Sequence, residues 1–135
     1  VVTTKSLSPT DLLAAIFAEL PDELCKDVIP TKTPWIHRTF FNLKNAYPDL
    51  LGSIPFDETD MFPYSPVIDE AIANLQIRED LQRKNPKLTT FDVNPETKGY
   101  LLRTNKLKLE QKSEVKKISH RLAEEIKKTQ EKVPS

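Results

Sequence analysis

Asn74 and Gln76 are the residues of this chain best suited to reading a base edge, because a side-chain amide can pair bidentately with adenine. Both fall between Pro66 and Ile77, where Ile68, Ala71, Ile72 and Leu75 recur at helical spacing, so they sit off the core stripe of a predicted helix. The same helix carries Asp69 and Glu70 in its first turn, where they would repel phosphate. Their ordinary role is to complement the positive helix start. Further on, Lys84, Lys87, Lys98 and Arg103 could bind backbone phosphates in a salt-sensitive way with little sequence preference. The plainer alternative is a solvated rim of basic residues around a small sheet.

Catalytic chemistry has little to work with. His37 reads as a helix-face residue and His120 as a solvated one, and Cys25 has no histidine near it in sequence and reads as a small, partly buried thiol. Two glycines in the whole chain leave no material for a phosphate-cradling loop. No zinc spacing, dinucleotide fingerprint or nucleophile elbow is present. Asp57-Glu58-Thr59-Asp60 offers oxygens to a cation but lacks the spacing and glycine of a calcium loop, so a solvated loop is the expectation. Asp92, Glu96 and Lys98 are similar to a fragment of the Asp…Glu-x-Lys set of restriction-type nucleases, but the Glu-x-Lys falls in a predicted turn. The sequence predicts a non-enzyme with no cofactor and no metal.

Net charge is zero, yet it is unevenly placed. Residues 1–97 hold 9 Lys/Arg against 15 Asp/Glu, a net of −6, and residues 98–135 hold 11 against 5, a net of +6. Such a split predicts a basic arm with its own partner, or an intra- or intermolecular charge match. No apolar run approaches a membrane span. The lone cysteine fits a reducing, cytoplasmic address.

The elements that must position these residues follow from caps and stripes. Ser8-Pro9 opens a helix with Leu13, Ile16, Phe17 and Leu20 on one face, ended by Pro21. Thr33-Pro34 repeats the device ahead of Ile36, Phe40, Leu43 and Tyr47. The next stretch, up to Pro63, reads as irregular, with Leu50, Leu51, Ile54, Phe56 and Phe62 plugging the core. Ser65-Pro66 opens the third long helix. Thr89–Val93 and Gly99–Leu102 read as two strands of a hairpin around residues 94–98. Val115, Ile118, Leu122 and Ile126 mark a last amphipathic helix that could pack on its own domain, remain a mobile basic arm or, as the favoured reading, use its stripe as the seam of a homodimer. Trp35, Phe62 and Tyr64 are candidate anchors for a protein partner, should they be exposed.

Residues 65–103, with a capped helix ending in Asn74-Leu75, a polar run and two short strands around a turn ending in Lys98-Gly99, resemble the distal half of winged helix-turn-helix domains. The run Phe62-Pro63-Tyr64-Ser65-Pro66-Val67 also resembles the aromatic-Gly-Pro-Val step of Panacea-type phage-associated antitoxins, with Ser65 in place of the glycine. The expected fold is α+β, a three-helix winged-helix-like domain over residues 1–105 with a small β-hairpin, followed by a basic amphipathic helix over 106–135. The expected function is a DNA-associated or transcription-regulatory protein, dimeric, that contacts double-stranded DNA through a basic wing. The alternative is a winged-helix module that docks on a protein partner and binds no DNA.

Overall fold

Two serines start the principal helices by the same device. Ser8 Oγ accepts the Asp11 N–H at 3.1 Å and Ser65 Oγ accepts the Ile68 N–H at 3.4 Å, each followed by a proline that needs no N–H partner. Thr33 does not repeat this. It is the first residue of its helix, and no side chain caps that end. The computed structural model describes residues 8–26, 28–59, 61–83, 90–104 and 109–131. In chain order they form α1 (Pro9–Ala18), a single 3₁₀ turn (Asp22–Leu24), β1 (Ile29–Pro30), α2 (Thr33–Ala46) and a short α3 (Pro48–Leu51). There follow α4 (Pro66–Ile77), β2 (Leu81–Gln82), β3 (Thr90–Val93), α5 (Glu96–Thr104) and α6 (Leu109–Glu131). The architecture is α+β. No described helix is long and apolar enough to cross a membrane.

α1 is buried on every side, not along one stripe. All residues from Asp11 to Phe17 are buried, because Leu-Leu-Ala-Ala-Ile-Phe supplies apolar or small side chains all round. It packs against α4, α5 and α6, and Phe17 meets Phe40 of α2 edge-on with ring centroids 6.0 Å apart. α6 lays Val115, Ile118, Leu122 and Ile126 on α1 and α2, each of the four fully buried. Each such side chain contributes roughly 1.5–3 kcal/mol by leaving water. The stripe expected to form a dimer seam is therefore consumed within its own chain. In the stretch expected to be irregular, Pro48 starts the one-turn α3, and Leu51 and Ile54 do plug the core.

The sheet differs from the expected hairpin. β3 is its centre, pairing antiparallel with β1 (Ile29 opposite Phe91, Pro30 opposite Thr90) and with β2 (Leu81 opposite Val93, Gln82 opposite Asp92), so the order is β1-β3-β2. Gly99–Leu102 belongs to α5 and is not a strand. Asn94 Oδ1 accepts the Glu96 N–H at 2.9 Å and the Asn94 carbonyl accepts the Thr97 N–H at 3.1 Å, which turns the chain into a helix directly after β3. With both edges of β3 already paired, a strand at 99–102 could not form the expected hairpin with it.

Candidate interaction surface

α4 presents its outward row as Pro66, Glu70, Ala73 and Ile77, all exposed and spaced i, i+4, i+7 and i+11. Ile77 is 79% exposed, which makes it one of the few large apolar side chains in water among the described residues. The row contains no hydrogen-bond donor. The two amides expected to supply donors each make one bond within the domain. Asn74 Nδ2 donates to Thr10 Oγ1 at 3.2 Å, and Gln76 Nε2 donates to the Ile72 carbonyl at 3.3 Å.

The phosphate contacts were expected around the hairpin, which is replaced there by α5. Lys98 lies 3.6 Å from Glu19 Oε1, tying α5 to the end of α1. Arg103 lies in α5, where a residue following the hairpin had been expected, and Lys84 and Lys87 fall outside the described residues. Trp35, Phe62 and Tyr64 are each only partly exposed, with Trp35 packed against the core, so none stands free as an anchor.

Both ends of α4 are fastened by groups that sequence reasoning did not join. At the N-terminal end His37 is buried, 1% exposed, and stacks on Tyr64 at 4.7 Å with Phe62 at 6.0 Å. Its Nδ1 accepts the Ser65 N–H at 3.0 Å, which places the ring proton on Nε2, and Nε2 donates to Asp69 Oδ1 at 2.9 Å. Tyr64 Oη donates to the other Asp69 oxygen at 2.5 Å. Asp69 is thus not free to meet phosphate or a partner's cation with both oxygens. Both nitrogens of His37 are committed as well, so it has none to offer as a base.

Burial pushes the Asp69 carboxyl up, but the bonds from Tyr64 and His37 outweigh it and hold it below its ordinary value. A lowered carboxyl stabilises the fold above its unfolded pKa and loses that contribution as pH falls through the folded value. The thermal midpoint is therefore expected to hold above about pH 4 and to fall below it. In Tyr64→Phe part of that acid-dependent fall should disappear. Circular dichroism melts between about pH 2 and 6 test this, and identical acid slopes for the two proteins would refute it.

At the C-terminal end Arg78 reaches two carboxylates. Nη1 lies 3.0 Å from Asp11 Oδ1 of α1 and Nε lies 2.9 Å from Asp80 Oδ2, the latter an ion pair angled away from a directed hydrogen bond. The guanidinium also covers the Tyr100 ring at 5.7 Å. Asp80 Oδ1 accepts the buried Thr97 hydroxyl at 2.6 Å, which brings α5 into the same cluster.

Between Arg78 and Asp80 the helix ends in a Schellman turn. The Asp80 N–H donates to the Leu75 carbonyl at 2.8 Å and the Glu79 N–H to that of Gln76 at 3.1 Å, with Glu79 at φ 67°. That left-handed position normally takes glycine. Replacing Glu79 removes the Cβ penalty of about 1–2 kcal/mol at some cost in unfolded-chain freedom. Glu79→Gly is thus expected to raise stability by about 0.5–1 kcal/mol in urea unfolding. A destabilised variant would contradict this account.

The remaining candidates are structural. His120 is well exposed and sits 3.2 Å from Glu124. Cys25 is half-buried, and burial with Asp22 and Glu23 nearby pushes its thiol up, away from a reactive thiolate. Asp57 Oδ1 takes both the Thr59 N–H and its hydroxyl, at 2.9 and 2.6 Å, as a loop-closing group. Among the described residues no cluster of His, Cys, Asp and Glu is arranged to hold a metal. Compared with family models, curated proteins and solved structures, the chain has no significant match.

Proposed function

We propose that this protein is a non-enzymatic winged-helix-type module that docks on a protein partner through the outward row of α4. The order α1, β1, α2, α4, β2, β3 and the sheet order β1-β3-β2 support the winged-helix reading, with α4 in the place of the helix such domains turn outward. The observation that carries the docking role is the composition of that row. A major-groove reader needs donors directed outward, whereas Pro66, Glu70, Ala73 and Ile77 offer an apolar strip and one acid. The partner that fits is a protein surface with an apolar pocket for Ile77 and a basic residue for Glu70.

A homodimer through α6 would need a seam other than the one buried on α1 and α2. A cytoplasmic setting belongs to the same proposal, on the half-buried free thiol of Cys25.

The test is a photo-crosslinking side chain at Ala73, irradiated in an extract supplemented with labelled random duplex DNA. Protein adducts that vanish when Ile77→Asp is added support docking. Adducts with the DNA, or protein adducts indifferent to Ile77→Asp, sink it.

A further inference from the structure

The basic arm is a built face. With α6 buried along Val115, Ile118, Leu122 and Ile126, the 3.6-residue period turns two basic rows outward, Lys116 with Lys127 and Lys117 with Arg121 and Lys128. They extend over about 18 Å of helix axis. Lys116, Lys117, Arg121 and Lys127 make no ion pair with any described residue. One acid, Glu124, stands between the two basic rows. Glu125 lies 3.3 Å from Lys128, and Glu124 lies 3.2 Å from His120.

We propose that this outward face of α6 is a sequence-independent binding surface for the phosphate backbone of duplex nucleic acid. Three observations select that occupant. The face is cationic while residues 1–97 carry a net of −6, so a polyanion is steered to α6 and away from the acidic remainder of the protein. It has no aromatic or aliphatic anchor: every exposed residue described on α6 is charged or polar, and the large exposed apolar side chains Met61, Ile77 and Tyr100 lie elsewhere. A protein interface depends on such anchors, and an interfacial membrane helix inserts an apolar face, which α6 has already buried. Duplex backbone asks for neither. It carries about one charge per 1.7 Å and is bound by unpaired Lys and Arg through counterion release. The face also lies on a different helix from the α4 row, so its occupant does not depend on what docks there.

The test is fluorescence anisotropy of a labelled random-sequence DNA duplex, titrated with the full chain at about 50 and 200 mM salt. Four cations with no ion pair among the described residues give a slope of roughly −3.6 in log affinity against log salt, or about 150-fold weaker binding over that range. Arg121→Gln and Lys117→Gln should each reduce the slope by about 1, with unchanged melting because both side chains face water. The charge reversal Lys116→Glu/Lys117→Glu/Arg121→Glu should abolish binding, and the single variants keep the proposal testable if that protein fails to fold. Ile77→Asp should leave duplex binding as it is. No binding at the lower salt, binding unaffected by the α6 variants, or tighter binding to a polyglutamate peptide than to the duplex would each overturn the proposal. The last outcome would assign the face to an acidic protein.

Discussion

Replacing His37 by alanine is expected to destabilise the fold by about 3 kcal/mol, adding the lost ring packing to an unpaired buried N–H. The ring is 1% exposed and its stack on Tyr64, 4.7 Å, would be replaced by a cavity. The Ser65 N–H, in a residue with no exposure, would lose its acceptor. His37→Phe separates the two contributions. It preserves most of the volume and loses only the hydrogen bonds, for a cost of about 1–3 kcal/mol. Urea unfolding of both variants measures this. For a chain of this size the alanine variant should melt roughly 10 °C lower. Amide exchange at Ile68 and Asp69 should quicken first, since these groups sit in the turn that His37 fastens. An alanine variant within about 1 kcal/mol of the parent would show that the knot is decorative.

Arg78→Ala has the second large expected effect, about 2–3 kcal/mol. Its carboxylate partners are only 12% and 13% exposed, while Arg78 itself is 33% exposed. Breaking a fully buried pair costs about 3–5 kcal/mol by stranding a charge, and partial exposure of the arginine lowers that figure. The test is a double-mutant cycle. Asp11→Asn removes one stranded charge, so Arg78→Ala with Asp11→Asn should be less destabilised than the two single changes added together. Strict additivity would mean that the two residues do not interact. The change should also loosen the contact of α1 with the end of α4, and so the presentation of Ile77.

What could be read from the chain alone was what is encoded locally. Ser8-Pro9 and Ser65-Pro66 announced α1 and α4 because a cap and its proline act within one turn. The stripe from Val115 to Ile126 announced α6 because periodicity is local as well. Asn94-Pro95-Glu96 is the instructive failure. The same residue types begin helices and make hairpin turns, and the choice was made by β1 and β2, which occupy both edges of β3 with partners 60–62 and 10–12 residues away in pairing register. β1 and β2 are two residues long, too short for an alternation to register. His37 and Asp69 are separated by 32 positions and Arg78 and Asp11 by 67, so no spacing rule could have joined them. Asn74 and Gln76 were placed correctly on their helix. What the sequence could not show was that each amide had a partner at home.

The enclosure of α1 has a consequence for how the molecule is made. One helix completes the burial of α1 only after the ribosome has added about a hundred more residues, at roughly 5–20 per second. During that interval of at least several seconds the most apolar segment of the chain lacks the cover of α6. A nascent chain stalled before Val115 would carry α1, α2 and α4 with a sticky seam, the kind of surface a holdase chaperone grips. Closure of the core over α1 therefore waits until the chain has been translated through Ile126 of α6.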